Sequence, residues 1–412
     1  MTTSTTPFAI LVELDGDGAH PAAWRFAAHS PTELLSPSRI AATVRAAERA
    51  GFTAATFEDS PLPPGQSFSG DGRAFSGDGQ AFSGDGQSTT AGRGGRGIIG
   101  RIEAIQRAAF SAPLTSSLGL VAVAHAVYGE PFHLSTQLAT VDHVSDGRAG
   151  WLVGTDADAA IAAEYGRAAV SAEQAIADAA DTVEVSRRLW DSWEDDAVIR
   201  ERETGRYFDR DRVHYADFTG ESFSIIGPAI VPRPPQGQVV VFAEGAVAAR
   251  LGADVALVTS IEQAADIRTE DIRTSVHRTL LELEVVLDSA GVSAADRLTA
   301  LNAHDAWTPT PRARFVGTGA ELIALLTELA SDEVIDGVRL IPAVLDVDLD
   351  EIGRGVLPEL RRRAVFRSPA PGQTMRQSLG LERPANRFAV DAPADEPGAS
   401  HHSTATLEGA SA

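Results

Sequence analysis

Residues Gly119 to Thr155, GLVAVAHAVYGEPFHLSTQLATVDHVSDGRAGWLVGT, limit the possible folds more than any other stretch. A short apolar run from Leu118 to Ala124 precedes Leu134, Leu138, Val141 and Val144 at helical spacing. Asp146-Gly147 then makes a turn before a second apolar run near Trp151. The pattern predicts strand, helix and strand. Parallel strands cannot be joined by a hairpin, so this βαβ unit implies a parallel sheet covered by helices.

The same alternation recurs along the chain. Strands are expected at Phe8 to Leu14, Thr53 to Phe57, Val239 to Ala243, Ala253 to Thr259, Leu280 to Leu287 and Asp336 to Ile341. Helices are expected at Ser38 to Ala50, where Gly51 stops the first, and at Ile102 to Phe110, Ala157 to Trp193, Ala246 to Leu251, Leu322 to Leu329 and Leu357 to Arg363. Tyr207 to Ile226 reads as an excursion with a short hairpin. About eight strands alternating with helices favour an α/β fold of the (β/α)8 TIM-barrel type, with an open doubly wound sheet as the alternative. No GxGxxG follows a predicted strand, so the dinucleotide fingerprint is missing.

The 412-residue chain, 43% hydrophobic, can bury one large core. We expect a single domain over 1–388, interrupted at 65–97, and a disordered acidic tail over 389–412. In the interruption FSGDGRA, FSGDGQA and FSGDGQS begin at Phe68, Phe75 and Phe82. Two glycines per heptad rule out a coiled-coil seam, and the Gly-Asp-Gly triplets lack the spacing of calcium loops. A low-complexity surface insertion is expected.

Composition removes several chemistries. Without cysteine there is no thiolate nucleophile or Cys-based metal site, and without lysine there is no Schiff base or P-loop lysine. A net charge of -22 disfavours nucleic acid and anionic membrane as partners. The start of the chain lacks the features of an export signal and no apolar run is long enough to span a membrane, so a cytoplasmic protein is expected. No histidine spacing suggests a metal site.

Asp59 lies just beyond a predicted strand, where α/β barrels place ligands; a helix cap is its structural alternative. His125, past another strand end, is a candidate proton shuttle and the one candidate catalytic residue. His133, at a helix start, reads as structural.

Several blocks give the chain a family resemblance: YGEPFHL from Tyr128, QLATVDH from Gln137, SDGRAGW from Ser145 and LWDSWEDDA from Leu189. GPAIVPRPPQGQ from Gly227, FVGT from Phe315, VLPELRRR from Val356 and LGLERPANR from Leu379 continue it. With them the chain resembles the flavin-dependent luciferase-like monooxygenases, in the branch of the nitrilotriacetate, dibenzothiophene sulfone and long-chain alkane enzymes. The resemblance implies a (β/α)8 barrel, a homo-oligomer, and reduced FMN supplied by a separate flavin reductase for oxidation of a small organic substrate by O2. A deazaflavin is a lesser alternative, and a flavin-free binding or assembly paralogue is the competing function.

The resemblance also marks cofactor-binding positions, and the chain departs from the family at most of them. Asp59 is kept, as is Tyr165 of the Tyr165-Gly166 pair. Val123 stands where relatives have threonine, and Leu152 where they have asparagine. Ala175 and Ile176 replace an Arg-Tyr pair at the phosphate end. The small phosphate turn reads Ala243-Glu244-Gly245-Ala246. A carboxylate about 4 Å from a phosphate costs roughly 4 kcal/mol per pair of unit charges at an effective dielectric near 20. Arg250 is a candidate substitute contact.

Overall fold

A computed structural model describes residues 8–60, 66–68, 74–76, 100–269 and 276–389. Most of the 65–97 insertion and the tail from 390 lie outside them. Within the insertion, Gln66–Phe68 and Ala74–Ser76 pair antiparallel.

Eight parallel strands close a barrel: β1 (Ala9–Glu13), β2 (Ala54–Phe57), β3 (Gly119–His125), β4 (Ala149–Gly154), β5 (Val240–Glu244), β6 (Val255–Val258), β7 (Arg278–Leu287) and β8 (Gly337–Pro342). Each pairs with the next, and β8 returns to β1 with Ala9 opposite Gly337. The expected barrel is therefore the observed one. A further strand, Ala313–Gly317, pairs with Leu283 to Leu287 of β7. A strand has only two edges, and β8 takes one over Leu280 to Val285; the added strand thus continues the edge on which β6 covers Arg278 to Leu281.

Strand alternation sorts the side chains. Ile10, Val12, Ala55, Phe57, Leu120, Trp151, Val153 and Val241 face outward into one core beneath the helices. Ala9, Leu11, Ala54, Val121, Val123, Leu152, Val240, Phe242, Val255, Leu257 and Leu280 face inward. The inner cluster is completed by Met375, Leu379 and Leu381, so the C-terminal segment plugs the barrel floor. Glycine makes room for it: a Cβ at Gly119 would lie 2.4 Å from Met375 Cε. The plug is tied down by Arg278, whose Nε donates to Leu379 O at 2.8 Å, and by Arg376, whose Nε donates to Gln238 O at 2.9 Å.

Among the surrounding helices, α1 (Pro37–Ala50) ends at Gly51 in the left-handed conformation, as expected. It is followed by α2 (Ala104–Ser111), α3 (Pro131–Val144) and α4 (Ala172–Asp191). Two expectations need correction. The helix foreseen over Ala157 to Trp193 is broken into Ala159–Glu164 and α4, because Gly166 turns with φ 65° and Ser171 caps a new start by accepting from Gln174 N. Ala246 to Leu251 forms consecutive turns: Val247 and Ala248 N–H both donate to Glu244 O and Leu251 N–H to Val247 O, and Gly252 then turns with φ 61°.

Candidate active site at the barrel mouth

Inward positions at the C-terminal ends of the strands meet at the mouth, and alternation decides which side chains these are. Val240 and Phe242 point inward, so Glu244 does too; the same period brings in Glu13, His125, Gly154, Glu282, Glu284 and Arg339. The mouth has two unlike halves. On the β3–β6 side Val123, Leu152, Phe242 and Leu257 form an apolar floor, with Val123 opposite Leu152 and Leu152 opposite Phe242.

The β7, β8, β1 and β2 side is charged. Arg339 is 1% exposed and sits among three carboxylates. Its Nη1 donates to Glu282 at 2.5 Å and its Nη2 to Glu13 at 2.7 Å and to Glu58, while Nε donates to Thr56 Oγ1 at 3.0 Å. Burial opposes its charge, but Glu58, Glu13 and Glu282 outweigh burial and hold it protonated. Arg312, just before the added strand, reaches Glu282 at 3.1 Å, and Arg314 within it reaches Glu284 at 2.7 Å. Two arginines, Arg339 and Arg312, thus face three acids, of which Glu282 is buried and Glu13 and Glu58 are partly buried. The Glu13 carboxyl is pushed up to about 8 by burial, aided by Glu58 and Asp15 against Arg339, and so keeps its proton at neutral pH.

The candidate site residues distribute over this frame. Asp59 caps α2: its Oδ2 accepts from Ala104 N at 2.8 Å. The neighbouring Glu58 is the acid that enters the mouth. His125 lies over Gly154, where a Cβ would come within 2.5 Å of its Nδ1. That buried Nδ1 lacks a hydrogen bond, although Asp156 Oδ2 is 3.3 Å away; Nε2 lies 3.4 Å from Asp59 O. Tyr165 stacks on Tyr128 with ring centres 5.9 Å apart. Burial, then Asp59 and Glu103, raise its hydroxyl pKa, which puts Tyr165 on the same rim. Asp59, His125 and Tyr165 therefore converge above β2–β4. His133 is exposed on α3.

Glu244 does not turn away. Solvent reaches its carboxyl, yet the surrounding walls raise its pKa, and Glu282, Asp156 and Glu58 raise it further against Arg312. Those neighbours belong to opposite sides of the mouth, so the side chain projects over the opening. Gly245 is packed against β6, its N–H donating to Leu257 O, and a Cβ there would meet Val258 at 2.9 Å.

Tested against a flavin, the apolar floor suits a planar ring, but the phosphate contacts implied by the resemblance are not built. The N–H groups of Val247 and Ala248 both donate to Glu244 O, Ala175 is buried in an apolar cluster and Ile176 packs on the core. Arg250 is held at 2.6 Å by Glu173 on the first turn of α4. It is not aimed into the mouth as a replacement contact.

With this geometry established, comparison with known proteins is decisive for the family. The luciferase-like monooxygenase model matches residues 19–333. The chain belongs to that family. It is 29% identical over 372 residues to N-acetyl-S-(2-succino)cysteine monooxygenase of Bacillus subtilis (strain 168), covering 71% of this chain and 84% of the relative. Nitrilotriacetate monooxygenase component A of Aminobacter aminovorans is 27% identical over 358 residues, covering 68% and 78%. A long-chain alkane monooxygenase crystal structure superposes with a TM-score of 0.72 at 18% identity, covering 92% of this chain and 96% of that one, a likeness of fold.

The blocks that carry the family resemblance build mostly scaffold away from the mouth. Arg148 of SDGRAGW donates to the carbonyls of Leu118, Ala112, Thr115 and Ser145, and Trp151 Nε1 donates to Ala124 O. Asp191 of LWDSWEDDA joins Arg233 and Gln238 of the proline-rich block to Asn386 of LGLERPANR. Glu244 was marked by the resemblance, but Glu13, Glu282, Glu284 and Arg339 escaped sequence reasoning, and two signals mark the last three. Acids alternate in TLLELEVVL, and a lone arginine interrupts the apolar GVRLIP.

Proposed function

We propose that this family member is a two-component monooxygenase, taking reduced FMN from a separate flavin reductase and using O2 to oxidise a small organic substrate. A deazaflavin is the lesser cofactor alternative. The observation that carries the proposal is a family barrel whose mouth joins an apolar floor to a sunken charged wall. Val123 and Leu152 would hold the ring by contact, leaving Phe242 and Leu257 beneath Glu244 to the substrate. Bound there, reduced flavin supplies the electrons that activate O2. The protein's own part is to exclude water over the floor, position the substrate, and move protons at His125 and at Glu13, whose proton is retained to about pH 8.

The enzyme would work in the cytoplasm as a homo-oligomer. Tyr215, Ile226 and Ile230, exposed on the excursion between β4 and β5, support self-association.

One observation favours a second function, a flavin-free binding or assembly subunit: at the positions the resemblance gives to the phosphate, Arg250 is paired with Glu173 and Ala175 and Ile176 are packed among apolar residues. Mixing reduced FMN and protein with O2 separates the two. A monooxygenase changes the time course of flavin reoxidation in proportion to protein concentration. A time course identical with and without protein would leave only the second function.

A further inference from the structure

We propose that Glu244 selects substrates carrying a basic nitrogen beside a hydrocarbon group. The proposal rests on the barrel mouth being the substrate site. It begins with charge pairing. Arg339 is shared among Glu13, Glu58 and Glu282, Arg312 is bound to Glu282 and Arg314 to Glu284. The arginines of the mouth are thus already engaged by carboxylates.

Glu244 differs from the other mouth acids. Among the described residues its carboxylate has no ion-pair partner, although it projects inward from the end of β5 and is reached by solvent. The ionisable groups around it are Glu282, Asp156 and Glu58 against Arg312, so the local balance is negative. Below it lie Phe242 and Leu257, beside the part of the floor formed by Leu152 and Val123. An unpaired carboxylate above a hydrophobic floor fits an alkylammonium: the cation satisfies the acid while the chain covers the floor. A carboxylate ligand would meet like charge in the same place. Glu244 would therefore be a specificity-determining residue favouring cationic or neutral compounds over polycarboxylates.

The test measures binding to purified, flavin-free protein of three probes with the same chain: n-hexylammonium, n-hexanol and hexanoate. Calorimetry or ligand-observed NMR should show hexylammonium binding at least about tenfold more tightly than hexanoate. The Glu244→Gln variant should lose most of that preference while binding hexanol as before. It should also fold normally, with an unchanged melting temperature, because no side-chain partner is broken. Equal or tighter binding of hexanoate, failure of all three probes to bind, or a preference that survives Glu244→Gln would overturn the proposal. No flavin takes part, so the result is separate from the test of monooxygenase chemistry. A protein that prefers the ammonium but fails to alter flavin reoxidation would retain the recognition site and lose the proposed reaction.

Discussion

At the scale of single residues, the charged half of the mouth is held by Arg339. Removing it leaves Glu58 and Glu282 facing one another without their shared counter-charge, and protonated Glu13 without its partner. Arg339→Met should destabilise the protein by about 3–5 kcal/mol, measured by urea unfolding at neutral pH. A change below about 1 kcal/mol would mean that the acids find other partners. Glu13 gives a prediction with a definite sign. Its folded carboxyl keeps its proton to about pH 8, whereas the unfolded one loses it near the ordinary 4.5. Between those values the folded state binds more protons, so stability falls as pH rises. The melting temperature of wild type relative to Glu13→Gln should therefore decline from pH 5 to pH 8. A relative gain over that window would show Glu13 ionised and paired. Residues of this kind were poorly legible in the sequence. Glu13 sits inside an otherwise apolar run, and its partner Arg339 is more than three hundred residues away along the chain. Asp59 was legible as an acid past a strand end, but one residue of register separates the helix cap from the acid that enters the barrel.

At the scale of elements, the barrel floor depends on the C-terminal plug. Met375 is buried against the positions of Gly119 and Gly150, which have no side chain to oppose it. Met375→Ala should cost about 2–5 kcal/mol in a denaturation experiment, through lost contact and the cavity left behind. A cost under about 1 kcal/mol would mean that the segment is not an integral floor. Strands and capped helices could be read from the chain because their signals are local: Gly51 ends α1 as expected, and Asp146-Gly147 turns with φ of 55° and 81°. The plug has no local signal. Its apolar residues look like any short helix until β3 and β4 leave a glycine-lined gap for them. Over Ala246 to Leu251 the alanine-rich composition is helical, but the segment makes only isolated helical bonds before Gly252 turns it toward β6.

For the whole molecule, fold and family were legible because the resemblance blocks describe the scaffold. Arg148, Asp191, Arg233 and Asn386 of those blocks fasten segments of this barrel that are far apart in sequence. The mouth is set by side chains at strand ends, which can change while the barrel stays closed. That separation explains why the chain carries a familiar frame around an altered cofactor region, with Val123 and Leu152 on the floor and Glu244 above it. As the proposed monooxygenase, the protein must receive reduced flavin in this mouth. The most direct test is an anaerobic titration of the purified protein with reduced FMN, followed by absorbance or fluorescence, with riboflavin in parallel. Saturable binding of reduced FMN below about 0.1 mM is predicted, with riboflavin binding at least as tightly, because the described residues build no phosphate grip and Glu244 opposes the phosphate charge. Absence of binding for both flavins at about 0.5 mM would contradict the monooxygenase assignment.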